Sequence, residues 1–401
     1  MPSARTPAAA TRPRRQSTTS ASAPVASSAP DAPAVPAKKT RTPRSSASTT
    51  AAAAGPGPRH FAIVGAGLAG IACARTLVQA GHRVTVLEKS SHVGGRTSTR
   101  STPHGSFDTG AQYFTVRDDR FAEALATVPG VCRPWSANAV RVLDAAGRVT
   151  AVGRPPHEAH WVACPGMQSL ADAWAAPLQD TAVLHTDALV VSLERDRLKG
   201  TGWQVTVENE SGEGQVLAGF DAVLLALPAP QARALLVSSD LDMPLMEDLA
   251  GVYVAPCWTL TLAFPQAVRP GLTTLGPQWN AARSTHHRIS WLARESSKPQ
   301  RSSVERWTVQ ASPEWSDEHL EDDAKRVQAK LLKAFAEVTG IRATPDHVHV
   351  KRWRYAQTIQ ALGRSHLWDA ERSVGACGDW CLGNRVEDAF VSGLELALAV
   401  A

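Results

Sequence analysis

The chain lacks several features that would assign it to a simple class. None of its 401 residues belong to an apolar run that approaches the ~18 residues of a membrane span. Its histidines show no metal-binding spacing such as His-Glu-x-x-His, so we predict no metal site. Six cysteines in a chain of this length do not form a disulfide framework. These absences argue against an integral membrane protein, a zinc enzyme and a small disulfide-rich protein.

Residues 1–58 lack aromatic side chains and contain one acid, Asp31, against eight lysines and arginines. Such a segment cannot bury enough apolar surface to offset its ordering entropy, so we expect a disordered basic tail. The whole chain carries a net charge of +5 and the tail +7, so the remainder carries −2. The basic pI therefore comes from the tail, and we predict no nucleic-acid binding by the folded part.

The tail is compatible with two locations. Its Arg- and Ser-rich, acid-poor composition is typical of an organelle transit peptide, and also of a solvated extension on a bacterial cytosolic protein. No apolar segment follows the basic residues, as it would in a secretory signal. We favour a cytoplasmic location and keep organelle targeting as the alternative.

The most informative segment begins just after the tail. A short apolar run, Phe61 to Val64, leads directly into Gly65-Ala66-Gly67-Leu68-Ala69-Gly70. A helical pattern then extends to Gly81, and a second apolar run, Val84 to Leu87, ends at Glu88. Strand, glycine-rich turn, helix, strand and acid in this order indicate a dinucleotide-binding βαβ unit.

Each residue type in this unit has a physical reason. Gly65 allows a tight turn, Gly67 lets the backbone approach a pyrophosphate, and Gly70 lets the helix pack close to the strand. The helix directs its unpaired N–H groups at the phosphates. The carboxylate of Glu88 is placed to accept hydrogen bonds from ribose hydroxyls, and it disfavours the 2′-phosphate of NADP.

A second glycine pair distinguishes FAD from NAD. Gly94 and Gly95 follow the acid closely and precede Arg96. They let another loop reach the pyrophosphate, to which the guanidinium can donate two charge-assisted hydrogen bonds. We therefore predict FAD as the cofactor.

The segment Gly65 to Arg96 resembles the N-terminal signature of the FAD-dependent amine oxidase and phytoene desaturase superfamily. Asp108-Thr109-Gly110-Ala111-Gln112-Tyr113-Phe114 is similar to the superfamily segment beside the flavin. Gly378-Asp379-Trp380-Cys381 and Arg385-Val386-Glu387-Asp388-Ala389 resemble its closing flavin motif. Within the superfamily, these segments together most resemble the renalase-like proteins. The resemblance covers most of residues 59–401 and is vague in the middle.

The resemblance implies roles for further residues. Asp379 would accept a hydrogen bond from the ribityl chain, and a helix beginning near Glu387 or Asp388 would direct its N-terminus at the N1/C2=O edge of the flavin. The backbone at Val190 would lie against the adenine, although its apolar run is equally typical of an ordinary buried strand. The predicted cofactor contacts are thus Gly65, Ala66, Gly67, Leu68, Ala69, Gly70, Glu88, Lys89, Gly94, Gly95, Arg96, Gly110, Ala111, Gln112, Val190, Gly378, Asp379, Arg385, Val386 and Glu387.

The predicted fold class is α/β, with a discontinuous Rossmann-type FAD-binding domain and a smaller α+β substrate domain that carries a mixed or antiparallel sheet. We assign residues 59–110, 181–230 and 345–401 to the first and residues 111–180 and 231–344 to the second. In the second domain, the pattern predicts one amphipathic helix from Ser316 to Val338, with Ser316 as N-cap and Gly340 just past its end.

The substrate pocket is less defined. By resemblance, Gln112 and Tyr113 lie beside the flavin and could line the pocket, and Trp258 is a further wall candidate. Amine oxidases commonly place a lysine near flavin N5. Lys298 is the nearest candidate, but the polar run Glu295 to Arg301 indicates a solvated turn, which counts against simple amine oxidation.

These features predict an FAD-dependent oxidoreductase that takes a hydride from a small molecule to flavin N5, with molecular oxygen as the expected oxidant of the reduced flavin and peroxide as product. The renalase-like resemblance implies oxidation of isomeric dihydro forms of NAD(P). The alternatives are oxidation of a small amine and a flavin-binding protein without turnover. The sequence assigns no catalytic acid or base and no oligomeric state.

Overall fold

The computed structural model describes residues 57–135, 140–152, 158–181, 183–196, 202–209, 211–268, 277 and 279–401. The predicted disordered tail falls almost wholly outside the described residues. Within them, the helices are α1 (Leu68–Gln79), α2 (Asp119–Ala126), α3 (Gln168–Thr181), α4 (Ala229–Ser238), α5 (Leu245–Ala250), α6 (Pro313–Glu318), α7 (Ala324–Thr339) and α8 (Val386–Val400). None of these helices is both long and apolar enough to cross a membrane.

The strands, in chain order, alternate with the helices in the first part of the chain and dominate the middle. They are β1 (His60–Val64), β2 (Arg83–Leu87), β3 (Thr99–Thr102), β4 (Gly105–Asp108), β5 (Cys132–Pro134), β6 (Arg141–Leu143), β7 (Val149–Val152), β8 (Trp161–Ala163), β9 (Val183–His185), β10 (Leu189–Arg195), β11 (Trp203–Glu208), β12 (Gly214–Phe220), β13 (Ala222–Leu225), β14 (Tyr253–Phe264), β15 (Ala281–His286), β16 (Ile289–Arg294), β17 (Glu305–Ala311), β18 (His347–Gln360), β19 (Leu367–Asp369) and β20 (Val374–Ala376).

The first sheet brings together distant parts of the chain. Its order is β19-β20-β13-β1-β2-β9, and β1 lies in parallel register between β2 and β13. β20 pairs with β13, so the C-terminal segment lies close to the first βαβ unit. Phe61 and Ile63 face a core with α1, α3 and α8, whereas Ala62 and Val64 face the antiparallel sheet β10-β11-β12 and α4.

The second large sheet has the order β18-β14-β17-β16-β15-β6-β7. Its pairs are antiparallel except β15 with β6, so the sheet is mixed, as predicted. One face packs its apolar side chains, including Leu260 and Val309, against Leu331 and Phe335 of α7. The opposite face faces the segment 96–112.

Side chains of this opposite face form a row across five strands. The register places Lys351 (β18) beside Thr259 (β14), Thr259 beside Gln310 (β17), Gln310 beside Trp291 (β16), and Trp291 beside Arg283 (β15). Directly paired residues point to the same side of a sheet. This row therefore forms one continuous surface, which meets the segment 96–112 through Lys351 and Gln310.

The predicted helix from Ser316 to Val338 is wrong as a single element. α6 ends at Glu318 and α7 begins at Ala324, and each has its own cap. Ser312 accepts a hydrogen bond from Trp315 N, whereas Asp323 accepts from the backbone N–H groups of Lys325 and Arg326. Apolar periodicity cannot show this break, because a capping aspartate also suits an exposed helix position. The predicted end at Gly340, with φ +74°, is confirmed.

The division into two domains stays a proposal. β18 (His347–Gln360) belongs to the second large sheet, and α3 packs on α1. We therefore propose a boundary near residue 360 rather than 345, because hydrogen-bonded strands of one sheet belong to one folding unit. β6 and β7 form an antiparallel hairpin at one edge of the second large sheet.

Candidate functional site

The turn between β1 and α1 has three glycines with different surroundings. Gly65 has φ +103°, and a Cβ on it would lie 2.6 Å from Ala226 O. A Cβ on Gly70 would lie 2.0 Å from Gly65 O, so the fold itself requires both glycines. Gly67 differs: its φ is −71° and an added Cβ would meet nothing within 4 Å. The open space beside Gly67, at the N-terminus of α1, is available to a ligand.

The second glycine pair lies directly against this turn. Gly94 donates its backbone N–H to Ala66 O at 2.8 Å, and Gly94 and Gly95 both have positive φ. A Cβ on Gly95 would lie 3.5 Å from the Cα of Gly67. The glycines of two turns thus border the same space. This arrangement suits a pyrophosphate that two loops approach.

Glu88 is buried at the end of β2, and its carboxylate is held by backbone N–H groups. Oε2 accepts from Ala66 N at 2.8 Å and Oε1 from Ser90 N at 2.9 Å. Ala188 N donates to Glu88 O, which brings the start of β10 and Val190 next to this acid. The structure therefore brings Val190 to the predicted ribose end of the site, while Lys89 is exposed beside it.

Arg96 and Asp379, 283 residues apart in sequence, form a bidentate ion pair. Nη2 lies 2.5 Å from Oδ1 and Nη1 3.0 Å from Oδ2. Thr358 Oγ1 also donates to Asp379 Oδ2 at 3.3 Å. The residue predicted to contact the pyrophosphate and the residue predicted to contact the ribityl chain are therefore in direct contact with each other.

The helix α8 begins at Val386, with Arg385 as N-cap, slightly earlier than predicted. A Cβ on Gly393 would lie 2.0 Å from Ala69 O, so α8 packs directly on the first turn of α1. The Glu387 carboxylate is buried and accepts hydrogen bonds from the backbone N–H groups of Arg117 and Asp118, at 2.6 and 2.7 Å. Only the backbone of Glu387, and not its side chain, therefore remains a candidate for cofactor contact.

The segment around Gly110 lies between Arg96 and the row of the second sheet. A Cβ on Gly110 would lie 1.9 Å from Arg96 O, and Ala111 N donates to the same oxygen. Gln310 Nε2 donates to Gly110 O at 2.7 Å, and Gln112 Nε2 donates to it at 3.0 Å. The backbone at Gly110 is therefore held by Arg96 on one side and by Gln310 on the other. Such a rigid backbone suits a position beside the flavin ring.

The interpretation of Lys298 as part of a solvated turn is wrong. Its side chain is fully buried, and Nζ donates to Asp108 Oδ2 at 2.9 Å, Glu295 Oε1 at 3.0 Å and Gln112 Oε1 at 3.2 Å. Arg301 donates to the same Asp108 oxygen at 2.7 Å. The four charged residues form a buried cluster directly behind Gln112.

The electrostatics of this cluster are asymmetric. Burial alone would raise the pKa of Asp108, but Lys298 and Arg301 outweigh burial and lower it. Burial raises the pKa of Glu295, whose Oε2 has no hydrogen-bond partner among the described residues. Asp108 is thus the ionised partner of two cations, whereas Glu295 keeps its proton to a higher pH than an exposed glutamic acid.

Trp258 is not brought together with the other pocket candidates. It packs in the core against α7, and its indole N–H donates to His319 O at 3.0 Å. Side chains alternate along β14, so Thr259 and not Trp258 lies on the face that carries Gln310 and Lys351. We therefore withdraw Trp258 as a pocket residue.

Tyr113 instead meets aromatic residues that the sequence analysis did not assign to the site. Its ring centroid lies 4.1 Å from that of His160, 5.6 Å from that of Trp291 and 6.4 Å from that of Trp135. The alternation along β16 places Trp291 on the row described above. That alternation is visible in the sequence, but it does not show which face of the strand meets the cofactor.

Comparison with known proteins identifies the class. Residues 63–127 match the family model described as NAD(P)-binding Rossmann-like domain, and residues 135–401 match the one described as flavin containing amine oxidoreductase. The second match covers well over half of the chain. The protein is an FAD-dependent oxidoreductase with a Rossmann-like domain, as predicted. It belongs to the family of flavin-containing amine oxidoreductases.

Curated relatives match only over short segments. An L-amino-acid oxidase of Bungarus fasciatus is 57% identical over 42 residues, which is 10% of this chain and 8% of the relative. The putative L-amino-acid oxidase YobN of Bacillus subtilis (strain 168) is 50% identical over 46 residues, 12% of this chain and 10% of the relative. The chain therefore spans at most about a tenth of these relatives' length.

Solved structures match over most of the chain. A putative protoporphyrinogen oxidase from Exiguobacterium sp. 255-15 has a TM-score of 0.67 at 14% identity and covers 86% of this chain and 99% of its own. Putrescine oxidase bound to putrescine has a TM-score of 0.60 at 15% identity, with the same coverage. At these identities the similarity shows the fold alone.

The residues present fit FAD. The space beside Gly67 and the adjoining turn at Gly94 and Gly95 suit the pyrophosphate. The predicted two-bond donation from Arg96 to the pyrophosphate is not seen, because both terminal nitrogens of its guanidinium donate to Asp379. Glu88 suits the ribose and Asp379 the ribityl chain. When bound, FAD supplies a two-electron acceptor, and the chain's own residues bind it, orient it and enclose it.

Proposed function

We propose that this oxidoreductase is an oxidase, which takes a hydride from a small planar substrate to flavin N5 and uses molecular oxygen as the final acceptor. Isomeric dihydronicotinamides of the renalase-like type are the favoured substrates. The observation that carries the flavin site is the contact of Arg96 with Asp379, because it joins the two distant segments whose residues suit one dinucleotide.

The surroundings of Tyr113 support a planar, uncharged ring rather than a cation. Burial and the nearby positive charge of Arg283 lower the pKa of His160, although Glu158 opposes this shift. Conditions that disfavour a protonated imidazole also disfavour a substrate ammonium group at the same place. Aromatic walls suit stacking with a conjugated ring.

Oxidation of a small amine remains the second candidate, and one observation now favours it. Lys298 is buried behind Gln112, so the argument that it lies in a solvated turn no longer applies. The family description also names amine substrates. We further propose a cytoplasmic location, for which only the composition of the tail gives support.

Anaerobic mixing distinguishes the candidates. We expect isomeric dihydronicotinamides to bleach the yellow flavin absorbance, and a panel of small amines to leave it unchanged. Admission of oxygen should then restore the colour with release of peroxide. Bleaching by amines alone would overturn the favoured substrate, and bleaching by neither class would favour a flavin-binding protein without turnover.

A further inference from the structure

We propose that Tyr113, His160 and Trp291 form a ring-binding subsite, which takes a planar conjugated ring that carries a carbonyl or carboxamide acceptor. The proposal rests on the proposed function, since it specifies how the substrate of the same site is recognised. It assigns Trp291 and His160 as specificity-determining residues.

Two polar atoms in this aromatic cluster are buried without partners. Among the described residues, neither Trp291 Nε1 nor His160 Nδ1 has a hydrogen-bond partner, and each side chain belongs to a residue that is 8% exposed. A buried polar group without a hydrogen-bond partner is destabilising, because it has lost its hydrogen bonds to water. A ligand that supplies the missing partners would remove this destabilisation.

Trp291 differs in this respect from other buried tryptophans of the chain. The indole N–H group is a donor only, and it normally finds an acceptor when buried. Six further tryptophans donate theirs to a protein oxygen: Trp135, Trp174, Trp203, Trp258, Trp307 and Trp380. The unpaired indole N–H of Trp291 therefore calls for an acceptor on the ligand.

The subsite borders the segment beside the flavin. Trp291 is paired with Gln310, whose amide donates to Gly110 O. Tyr113 follows Gln112 directly and is only partly buried, so its ring is not fully covered by its aromatic neighbours. A ring held against Tyr113 would thus lie next to the residues predicted to face the isoalloxazine.

Arg283, the next residue in the row, could contribute to substrate recognition through its charge. Arg283 pairs in register with Trp291 and is exposed, and it has no ion-pair partner in the part of the chain that the structure describes. A negatively charged group attached to the bound ring would find this guanidinium at the mouth of the subsite. The subsite therefore favours neutral or anionic ring compounds over arylalkyl ammonium ions.

Binding of simple probes to the holoenzyme tests the proposal. Benzamide presents a planar ring with a carboxamide, and benzylamine presents a similar ring with an ammonium group. We expect benzamide to perturb the flavin spectrum and tryptophan fluorescence, with a dissociation constant at least about tenfold lower than that of benzylamine. Tighter binding of benzylamine, or no binding of benzamide, would overturn the proposal.

Substitutions at single residues test whether benzamide binds at the proposed subsite. Trp291→Phe keeps the ring and removes the N–H donor, so benzamide should bind about five- to tenfold more weakly. Trp279→Phe is the matched control, because Trp279 is equally buried but packs against Trp307 in the core on the other face of the sheet. If Trp291→Phe does not fold, His160→Phe tests the same subsite, since it keeps the stacking and removes Nδ1.

The outcomes separate this proposal from the proposed function. The proposed subsite would be contradicted if benzamide bound equally more weakly to the Trp291 and Trp279 variants, or if its binding were unchanged in the Trp291 and His160 variants. This holds even if dihydronicotinamides bleach the flavin. Conversely, benzamide binding that depends on Trp291 in a protein whose flavin no dihydronicotinamide reduces would retain the subsite and overturn the proposed substrate.

Discussion

Replacing Gly67 with valine should leave the protein folded but without FAD. An added Cβ at Gly67 meets no protein atom within 4 Å, and φ −71° suits a residue with a side chain. The valine would project into the space that two glycine turns leave for the pyrophosphate, so the affinity for FAD should fall by at least about 100-fold. The flavin absorbance of the purified variant, together with its circular dichroism, measures both effects.

Gly214→Val is the matched control for this variant. A Cβ on Gly214 also meets nothing within 4 Å, but this glycine lies at the start of β12, away from the two glycine turns. The control should retain normal flavin content. Normal flavin content in Gly67→Val would show that the pyrophosphate does not approach this turn.

Asp108→Asn should lower the free energy of unfolding by about 3–5 kcal/mol, because the change leaves the buried cations Lys298 and Arg301 without their shared carboxylate. Urea unfolding followed by circular dichroism measures this loss. Glu295→Gln is the control within the same cluster. Burial raises the pKa of Glu295, so the folded protein favours its neutral form, which glutamine resembles, and the control should cost far less.

The same pair of variants predicts a pH dependence. The pKa of Asp108 is lowered in the folded protein, since its two cations outweigh burial. Its contribution to stability is therefore present above the unfolded pKa and is lost as the pH falls through the folded one. Asp108→Asn should remove this part of the acid-induced loss of stability. The assigned ion pairs would be contradicted if Asp108→Asn lost as much stability at low pH as the wild-type protein does. They would also be contradicted if Asp108→Asn and Glu295→Gln lowered the free energy of unfolding equally.

Local patterns in the sequence were sufficient to predict the βαβ unit. The order of strand, glycines, helix and acid is short-range, and Gly70 is required by Gly65 close by in the chain, whereas Gly65 is required by Ala226, just past the adjacent strand β13. The convergence of Arg96 with Asp379 required the resemblance, because no spacing rule connects residues so far apart.

The errors at the candidate site have a common physical cause, which is that burial is decided by distant partners. The run from Glu295 to Arg301 looks solvated by composition, but Asp108 from β4 neutralises its cations and makes burial possible. The alternation of side chains along a strand places Trp258 and Thr259 on opposite faces, but it does not show which face meets the cofactor domain. Trp291 and His160 were missed for the same reason.

Extraction of the cofactor from the purified wild-type protein tests the central claim most directly. Two glycine turns, Arg96 and Asp379 should enclose one dinucleotide, so denaturation should release FAD at about one molecule per chain. A protein that releases no flavin, or FMN without an adenylate, would contradict the account, because FMN has neither the pyrophosphate nor the ribose for which Gly67 and Glu88 are placed.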